Sequence, residues 1–194
     1  MKNQTTGAIL AGGHSSRMGK DKAFVSWKNI PLWQHLFTRM APQVSTLSIL
    51  YNGNPTVFPS GLPVLGDLRR GQLGPLAGVE TALSRMRTEW LFTAPVDVPL
   101  LPKDCVTQLS WRASQGDVQV VCAESGGQIH GTVALWHRDI LPRIQQALDE
   151  ERYGVLNFLR QTGFAACSFM PRDDGSDPFL NLNSPEDFQQ LPKS

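Results

Sequence analysis

The amino-terminal stretch that decides the fold reads Ala8-Ile9-Leu10-Ala11-Gly12-Gly13-His14-Ser15-Ser16-Arg17-Met18-Gly19-Lys20-Asp21-Lys22. An apolar run leads into two adjacent glycines, and a polar loop with cationic side chains follows. Glycine lets the backbone approach a ligand closely and adopt positive φ angles. Successive backbone N–H groups can then point at phosphate oxygens, while the cations offset the remaining charge. The stretch therefore predicts a buried strand followed by an anion-binding loop.

This loop differs from two common phosphate-binding motifs. Five residues separate Gly13 from Gly19, and Lys20 is followed by Asp21 instead of Ser or Thr, so the loop is not a P-loop. It also lacks the dinucleotide pattern Gly-x-Gly-x-x-Gly. A nucleotide is the favoured ligand, but neither of those two folds is expected to hold it. A solvated glycine-rich turn without a ligand is the alternative.

The composition is that of an ordinary globular protein. Of the 194 residues, 41% are hydrophobic and 18% are charged, and one domain over residues 1–194 is expected. The 18 basic and 17 acidic residues give a net charge of +1, which argues against a nucleic-acid or membrane binder. Residues 1–40 nevertheless hold six Lys or Arg and a single acid, Asp21, so a local positive field surrounds the glycines.

Cysteine spacing and hydropathy predict the cellular compartment. Cys105, Cys122 and Cys167 lie too far apart for a metal motif and are odd in number, so no disulfide framework is indicated. Residues 1–7 are polar and lack the apolar core of a signal peptide. No apolar stretch approaches the roughly 20 residues of a membrane span. We expect a reduced, cytoplasmic protein.

Strand-like and helix-like segments alternate along the chain. The predicted strands are 7–10, 46–51, 62–65, 90–94, 118–123, 132–136 and 165–170, and the predicted helices begin at Pro31, Gly74, Pro102, Ile140, Val155 and Ser184. This alternation predicts a three-layer α/β domain with a mostly parallel central sheet. The short polar turn at 124–128 allows one antiparallel pair.

Polar side chains follow several predicted strands at their carboxyl ends, where open α/β sheets bind ligands. Asp97 follows the most apolar strand, and Pro95 and Pro99 restrict the backbone around it. A carboxylate held there suits Mg²⁺, which takes one or two protein carboxylates together with phosphate oxygens. Asn52 and Asp67 follow two other strands. A carboxylate can accept both N–H groups on the edge of guanine, although turn formation explains both residues equally well.

Further polar residues have a functional and a structural interpretation. Asn181 and Asn183 would point to the same face of an extended segment and could hold a polar ligand, or they could bond the backbone before the cap at Ser184. His130 is either structural or functional. No Ser/His/Asp or Cys/His signature is recognisable, so the implied chemistry is electrostatic. A metal and cations would position a nucleoside triphosphate and offset its charge.

A series of motifs runs in order along nearly the whole chain. They are Leu10-Ala11-Gly12-Gly13 with Ser15, Arg17-Met18-Gly19 and Asp21-Lys22; Ile30-Pro31-Leu32 with Gln34-His35; Asn52; Asp67; Gly74-Pro75-Leu76-Ala77-Gly78; Pro95-Val96-Asp97-Val98-Pro99; and Asn181-Leu182-Asn183-Ser184-Pro185-Glu186. Together they resemble the motifs of the molybdenum cofactor guanylyltransferases (MobA type), which are nucleotidyltransferases with a Rossmann-like fold. Two segments depart from the pattern. Gly131 stands where the family often has Pro, and residues 69–73 lack a close match.

The resemblance implies transfer of GMP from GTP to the molybdenum–molybdopterin cofactor, which gives the guanine dinucleotide form and pyrophosphate. It implies catalytic roles for Arg17, Lys22 and Asp97, with Asp97 holding Mg²⁺. The implied GTP-binding residues are Leu10, Ala11, Gly12, Gly13, Lys22, Asn52, Asp67 and Asp97, and those on the pterin side are Gly78, Asn181 and Asn183. Expected protein partners are molybdopterin-supplying or molybdoenzyme-maturation proteins, and neither a nucleic acid nor a membrane is expected.

Three other functions stay open. Molybdopterin cytidylyltransferases resemble this chain but tend to read Ala-Ala-Gly in the first loop and Asp-x-Asp-Thr-Pro near the end, where this chain has Ala11-Gly12-Gly13 and Asn181-Leu182-Asn183-Ser184-Pro185. A sugar-1-phosphate nucleotidyltransferase is usually longer. A non-catalytic carrier of molybdopterin or GTP would not need the metal carboxylate Asp97.

Overall fold

A central sheet of seven strands organises the part of the chain that the computed structural model describes, residues 4–12, 21–71, 73–184 and 186–190. The strands in chain order are β1 (Thr5–Leu10), β2 (Ser26–Trp27), β3 (Ile30–Pro31), β4 (Thr46–Leu50), β5 (Val64–Leu65), β6 (Trp90–Pro95), β7 (Val120–Ser125), β8 (Gln128–His137) and β9 (Ala165–Ser168). The strands β2 and β3 form a separate antiparallel ribbon, and the other seven follow the order β5-β4-β1-β6-β8-β7-β9.

Helices cover both faces of this sheet. They are α1 (Leu32–Met40), α2 (Pro75–Arg85), α3 (Cys105–Ala113), α4 (Leu141–Asp149) and α5 (Val155–Thr162). Successive residues of a strand point to opposite faces. In β1, Ile9 therefore packs in one buried cluster with α1 and α3, while Ala8 and Leu10 pack in a second cluster with α2, α4 and α5. The predicted three-layer architecture is confirmed.

The strand order reverses between β1 and β6. From β1 the chain builds β4 and β5 toward one edge, and α2 then returns it to pair β6 with the other side of β1. Among the described strands of the seven-stranded sheet, only β8 is antiparallel to its neighbours, which are β6 and β7. This confirms both the mostly parallel sheet and the antiparallel pair. Ligands bind such sheets beyond the carboxyl ends of the strands at the reversal.

Two helix predictions need correction. Helix α3 begins at Cys105, three residues after Pro102. Pro102 lies in a turn in which its carbonyl oxygen accepts from the Cys105 N–H, and Oε1 of Gln43 accepts from the N–H of Val106 in the first turn of the helix. The helix expected after Ser184 is a 3₁₀ turn, Asp187–Gln190, within the described residues. None of the helices in the described ranges is long and apolar enough to cross a membrane.

Candidate active site

The carboxyl ends of β1 and β6 bring Ala11 and Gly12 to the same cavity as Asp97. The N–H of Val96 donates to the carbonyl oxygen of Leu10 at 3.0 Å, which extends the pairing of the two strands by one residue. The N–H of Ala11 donates to the Leu50 carbonyl at 3.0 Å on the other side. Residues that follow three neighbouring strands are therefore held at one edge of the sheet, as their positions after the predicted strands indicate.

Two adjoining cavities open at this edge among the described residues. The larger, of about 480 Å³, is lined by Leu10, Ala11, Gly12, Asp21, Leu50, Tyr51, Asn52, Gly53, Asp67, Leu73, Gly74, Pro75 and Gly78. The smaller, of about 280 Å³, is lined by Leu10, Ala11, Gly12, Lys22, Pro75, Pro95, Val96, Asp97, Thr132 and Asn181. Gly12 lines both cavities, so the end of the first strand lies at their junction. Gly13 and Arg17, which the sequence also predicts for the site, lie outside the described residues.

In the larger cavity, Asn52 and Asp67 hold each other in place. Nδ2 of Asn52 donates to Oδ2 of Asp67 at 2.7 Å, and Oδ1 of Asn52 accepts from the Asp67 backbone N–H at 2.8 Å. The first bond orients the Asp67 carboxylate and the second holds its backbone, and among the described residues neither involves its Oδ1 atom. Burial raises the pKa of Asp67, the hydrogen bond from Asn52 lowers it in part, and the charge of Glu80 raises it further.

In the smaller cavity, the ammonium group of Lys22 contacts two other predicted site residues, Asp97 and Asn183. Nζ of Lys22 donates to Oδ2 of Asp97 at 2.9 Å and to Oδ1 of Asn183 at 2.5 Å. The Lys22 and Asp97 side chains are only 19% and 16% exposed, so the pair is shielded from much of the solvent. A carboxylate oxygen and an amide oxygen that already share a cation are hard oxygen donors of the kind that Mg²⁺ prefers. The residues present therefore fit a divalent cation.

The carboxy-terminal segment is hydrogen-bonded to the loop that contains Asp97. The N–H of Leu182 donates to the backbone oxygen of Asp97 at 3.0 Å, and the Leu182 side chain is buried. Oδ2 of Asp187 accepts from the N–H groups of Asn183 and Ser184, at 2.6 and 2.8 Å. These contacts bring Asn181 and Asn183 to Asp97 and Lys22.

Gly78 lies apart from the two asparagines with which the sequence analysis grouped it. A Cβ atom at Gly78 would lie 3.1 Å from Cδ2 of Leu10 and 3.7 Å from Oδ1 of Asp67, in the larger cavity. Asn181 lines the smaller one. The packing of α2 against β1 and β4 places Gly78 beside Asp67. The assignment of Gly78, Asn181 and Asn183 to the pterin side stays a prediction.

Sequence reasoning missed three lining residues with polar side chains, Asp21, Tyr51 and Thr132. Tyr51 follows β4 directly and packs edge-on against Phe24, with ring centroids 6.0 Å apart. Burial and a hydrogen bond with Asp21 raise the pKa of Tyr51. Its place in the first motif could have identified Asp21, and its position directly after a strand could have identified Tyr51. Thr132 lies in the middle of the antiparallel β8 and carries no such signal.

His130 has a structural environment. It is 8% exposed, and its Nε2 atom lies 2.7 Å from Oγ of Ser125, which donates to Oδ1 of Asp177 at 2.8 Å. The ring also packs on Phe179, with centroids 4.9 Å apart. Burial lowers the pKa of His130, while Asp177 and Glu124 oppose that shift. These contacts attach the start of the carboxy-terminal segment to the sheet.

Comparison with known proteins agrees with this geometry. The family model described as a MobA-like NTP transferase domain matches residues 7–165, which include Gly12, Asn52, Asp67 and Asp97. The chain belongs to this family. The molybdenum cofactor guanylyltransferase of Yersinia pestis (strain Pestoides F) is 39% identical over 191 residues, which cover 96% of this MobA-like chain and 94% of that relative. The relative of Yersinia pseudotuberculosis serotype O:3 (strain YPIII) gives the same values.

Solved structures share the fold of this MobA-like chain. The molybdopterin-guanine dinucleotide biosynthesis protein A of Archaeoglobus fulgidus superposes with a TM-score of 0.78 at 17% identity, over 95% of each chain. Rv0371C of Mycobacterium tuberculosis H37Rv, in complex with manganese, superposes with a TM-score of 0.70 at 12% identity, over 97% of this chain and 98% of that one. The predicted nucleotidyltransferase fold and the predicted family are confirmed.

Proposed function

We propose that the chain transfers GMP from GTP to the molybdenum–molybdopterin cofactor and releases pyrophosphate. The observation that carries the proposal is the arrangement of the two adjoining cavities. One holds the Asn52–Asp67 pair, the other holds Lys22 and Asp97, and Gly12 lies at their junction. A nucleotide lying across Gly12 would reach a carboxylate with its base and a cation site with its phosphates. The relatives named as guanylyltransferases match nearly the whole chain.

The base would bind in the larger cavity. Guanine presents two neighbouring N–H groups, and an ionised carboxylate can accept both of them. Asp67 is oriented for this by Asn52, which donates to its Oδ2 atom and accepts from its backbone N–H. A site built to accept N–H groups rejects bases that lack them, because its polar atoms are then left unpaired. The pair therefore supports selection of guanine.

The triphosphate would lie over Gly12, with Lys22 offsetting its charge. Asp97, with Oδ1 of Asn183 beside the same ammonium group, would hold Mg²⁺. When bound, a divalent ion offsets charge on the phosphates and on the pyrophosphate leaving group. Release of Lys22 from Asp97 would leave its ammonium group free to donate to a phosphate oxygen. Arg17 would add a second cation from the loop outside the described residues.

The acceptor would approach from the side of the carboxy-terminal segment. Asn181 lines the smaller cavity with Asp97, so a polar group of the pterin could bind there. A phosphate oxygen of the pterin would attack the α-phosphorus of GTP; the new oxygen–phosphorus bond forms as the bond to pyrophosphate breaks. Fixed positions for both reactants provide most of the catalysis in such a transfer.

A molybdopterin cytidylyltransferase is the second candidate, since the fold and Asp97 suit both nucleotides. The Asn52–Asp67 pair favours GTP, because the corresponding edge of cytosine presents one amino group and acceptors in place of two neighbouring N–H donors. The cytoplasmic location, the single domain over residues 1–194 and the molybdopterin-supplying or molybdoenzyme-maturation partners stay predictions.

Label transfer tests the proposed reaction. With GTP labelled at the α-phosphate, Mg²⁺ and the molybdenum–molybdopterin cofactor, label should appear in the cofactor fraction. With GTP labelled at the γ-phosphate, it should appear in pyrophosphate. Free phosphate from the γ-label with no labelled cofactor would indicate a GTPase and contradict the proposal. Binding of GTP with no transfer of either label would indicate a carrier.

A further inference from the structure

The first part of the loop between β5 and α2, residues 66–71, is anchored at three successive positions. The backbone N–H of Asp67 donates to Asn52, and that of Leu68 donates to Oγ1 of Thr81 at 2.9 Å. Thr81 is fully buried on α2 and donates in turn to the carbonyl of Ala77. The third anchor is the side chain of Arg69. Loops that join secondary structure elements are usually mobile. Anchors at three adjacent residues therefore indicate that this loop must hold a fixed position.

Arg69 makes the strongest of these contacts. Its Nε and Nη2 atoms donate to the two carboxylate oxygens of Glu80 at 2.8 and 3.0 Å, and its Nη1 atom donates to Oδ1 of Asp149 at 2.6 Å. Nη2 also reaches the carbonyl of Gln145 at 3.4 Å. The planar guanidinium thus links the loop to α2 and to the end of α4. Such a two-pronged pair fixes direction as well as distance.

Glu80 is the buried member of this ion pair, whereas Arg69 is partly exposed. Glu80 is 3% exposed, and removing a carboxylate from water costs several kcal/mol that its partner only partly returns. Replacing a buried ion pair by apolar residues is often neutral or stabilising, so stability alone is a weak reason for such a pair. Arg70, the next residue, is exposed. Arg69, two residues after Asp67, is thus the arginine that links this loop to α2 and α4.

We infer that Arg69 is a specificity-determining positioning residue that holds the Asp67 carboxylate against the two N–H groups of guanine. The inference rests on the proposed function. Asn52, which follows β4, orients the Asp67 side chain. Arg69 fixes the position of the Asp67 backbone by its contacts with α2 and α4. Arg69 itself touches no substrate. Its removal would let the loop shift and would weaken the hydrogen bond to the 2-amino group of guanine.

Inosine triphosphate is the probe, because inosine keeps the N1–H of guanine and lacks only the 2-amino group. One hydrogen bond to a charged acceptor is worth about 10- to 100-fold in binding, so the parent chain should prefer GTP over ITP by roughly that factor. A loop that no longer holds Asp67 should lose this preference. General loosening of the fold would weaken GTP and ITP equally and leave their ratio unchanged.

The test measures KM and kcat for GTP and ITP in cofactor transfer, together with equilibrium binding of both nucleotides. The main variant is Arg69→Leu with Glu80→Leu, since Arg69→Leu alone would leave a buried carboxylate unpaired. We expect kcat/KM for GTP to fall about 10- to 100-fold, mostly through KM, and the GTP/ITP ratio to fall toward one. Arg69→Lys keeps a charge for Glu80 without the fork and should give an intermediate ratio.

Arg70→Leu is the matched control in the same loop, and it should keep the parent ratio. A parent ratio in both Arg69 variants, or no preference for GTP over ITP in the parent chain, would overturn the inference. If the double variant fails to fold, Arg69→Lys alone decides it: a parent ratio overturns the inference. Failure of the proposed function looks different, because the parent chain would then transfer no nucleotide from GTP.

Discussion

The ammonium nitrogen of Lys22 lies 2.9 Å from Oδ2 of Asp97, although 75 positions separate the two residues in the chain. Asn183 completes the contact from the carboxy-terminal segment. A cation thus rests on the oxygens that would bind a metal. Because Lys22 and a metal ion would contact the same oxygens, the site can adopt two states. In one, Lys22 neutralises Asp97; in the other, a divalent ion binds Asp97 and Lys22 is free for phosphate.

Asp97→Asn should separate catalysis from nucleotide binding. The amide keeps the shape of the carboxylate but loses its charge, so we expect label transfer to fall about 10³-fold. Binding of GTP should stay measurable by calorimetry because the Asn52–Asp67 pair is untouched. Asp117→Asn, at an exposed carboxylate, is the control and should keep parent activity. An Asp97→Asn variant with the parent rate would remove Asp97 from the metal site.

Lys22→Met should expose the competition for Asp97. Without the ammonium group, Asp97 and Asn183 lose their resident cation, so Mn²⁺ should bind the nucleotide-free variant more tightly than the parent chain. Transfer should still fall about 100-fold, because the triphosphate loses a charged partner. Mn²⁺ binding can be followed by electron paramagnetic resonance, with the exposed Lys103→Met as control. Equal or weaker Mn²⁺ binding in Lys22→Met would show that Lys22 and the metal do not compete.

Binding of GTP should depend on pH through Asp67. Burial raises the pKa of this carboxyl above its ordinary value of 3.8, and only the ionised form can accept two N–H groups. GTP affinity should therefore be constant at neutral pH and fall as the pH is lowered through the raised pKa. Equilibrium binding between about pH 4 and pH 8 checks this. Asp67→Asn should bind GTP weakly and show no such decrease; the same decrease in the variant would assign it to another group.

Stability should depend on pH through His130. Burial lowers the pKa of the folded state below the ordinary value of 6.5. Below that value the unfolded chain takes up a proton that folded His130 does not, so the free energy of unfolding should decrease as the pH falls from 6.5 toward the lowered pKa. Above pH 6.5 this contribution is fully present.

Urea unfolding of two variants checks the assignment to His130. His130→Gln should flatten the decrease below pH 6.5, while His137→Gln, at the other end of β8, should keep it. An identical pH dependence in the parent chain and in His130→Gln would contradict the role of His130. Both variants are compared at neutral pH first, because loss of the Ser125 contact lowers stability at every pH.

Residues that follow parallel strands were predictable from the sequence. Apolar runs define β1, β4 and β6, and the carboxyl ends of parallel neighbours meet at one edge. Gly12, Asn52 and Asp97 could thus be placed together without a structure. Leu32, Leu36 and Met40 recur at helical spacing in the sequence, and all three are buried on α1.

Contacts between distant segments were not predictable. Asn183 meets Lys22 across 161 positions, and no local pattern encodes that pairing. Gly78 faces Asp67 because α2 packs against β1 and β4, a consequence of tertiary packing. The anchoring of residues 66–71 by Arg69 is a third case, since Glu80 and Asp149 come from two different helices.

Nucleotide selection can first be measured without the acceptor. A ligand at 100 times its dissociation constant stabilises the folded state by about 2.7 kcal/mol. With Mg²⁺ present, GTP should raise the melting temperature more than ATP, CTP or UTP does, because Asp67 accepts from both N–H groups of guanine. Equal stabilisation by all four would mean that binding rests on the triphosphate alone and that Asp67 does not read the base.

Product formation with GTP and CTP, measured side by side, tests the account most directly. The parent chain is supplied with the molybdenum–molybdopterin cofactor, Mg²⁺ and one nucleotide at a time, and the dinucleotide form of the cofactor is quantified together with pyrophosphate. We predict rapid formation of the guanine dinucleotide, with equimolar pyrophosphate, and little product from CTP. Faster product formation from CTP, or no dinucleotide from either nucleotide, would contradict the assignment of GMP transfer.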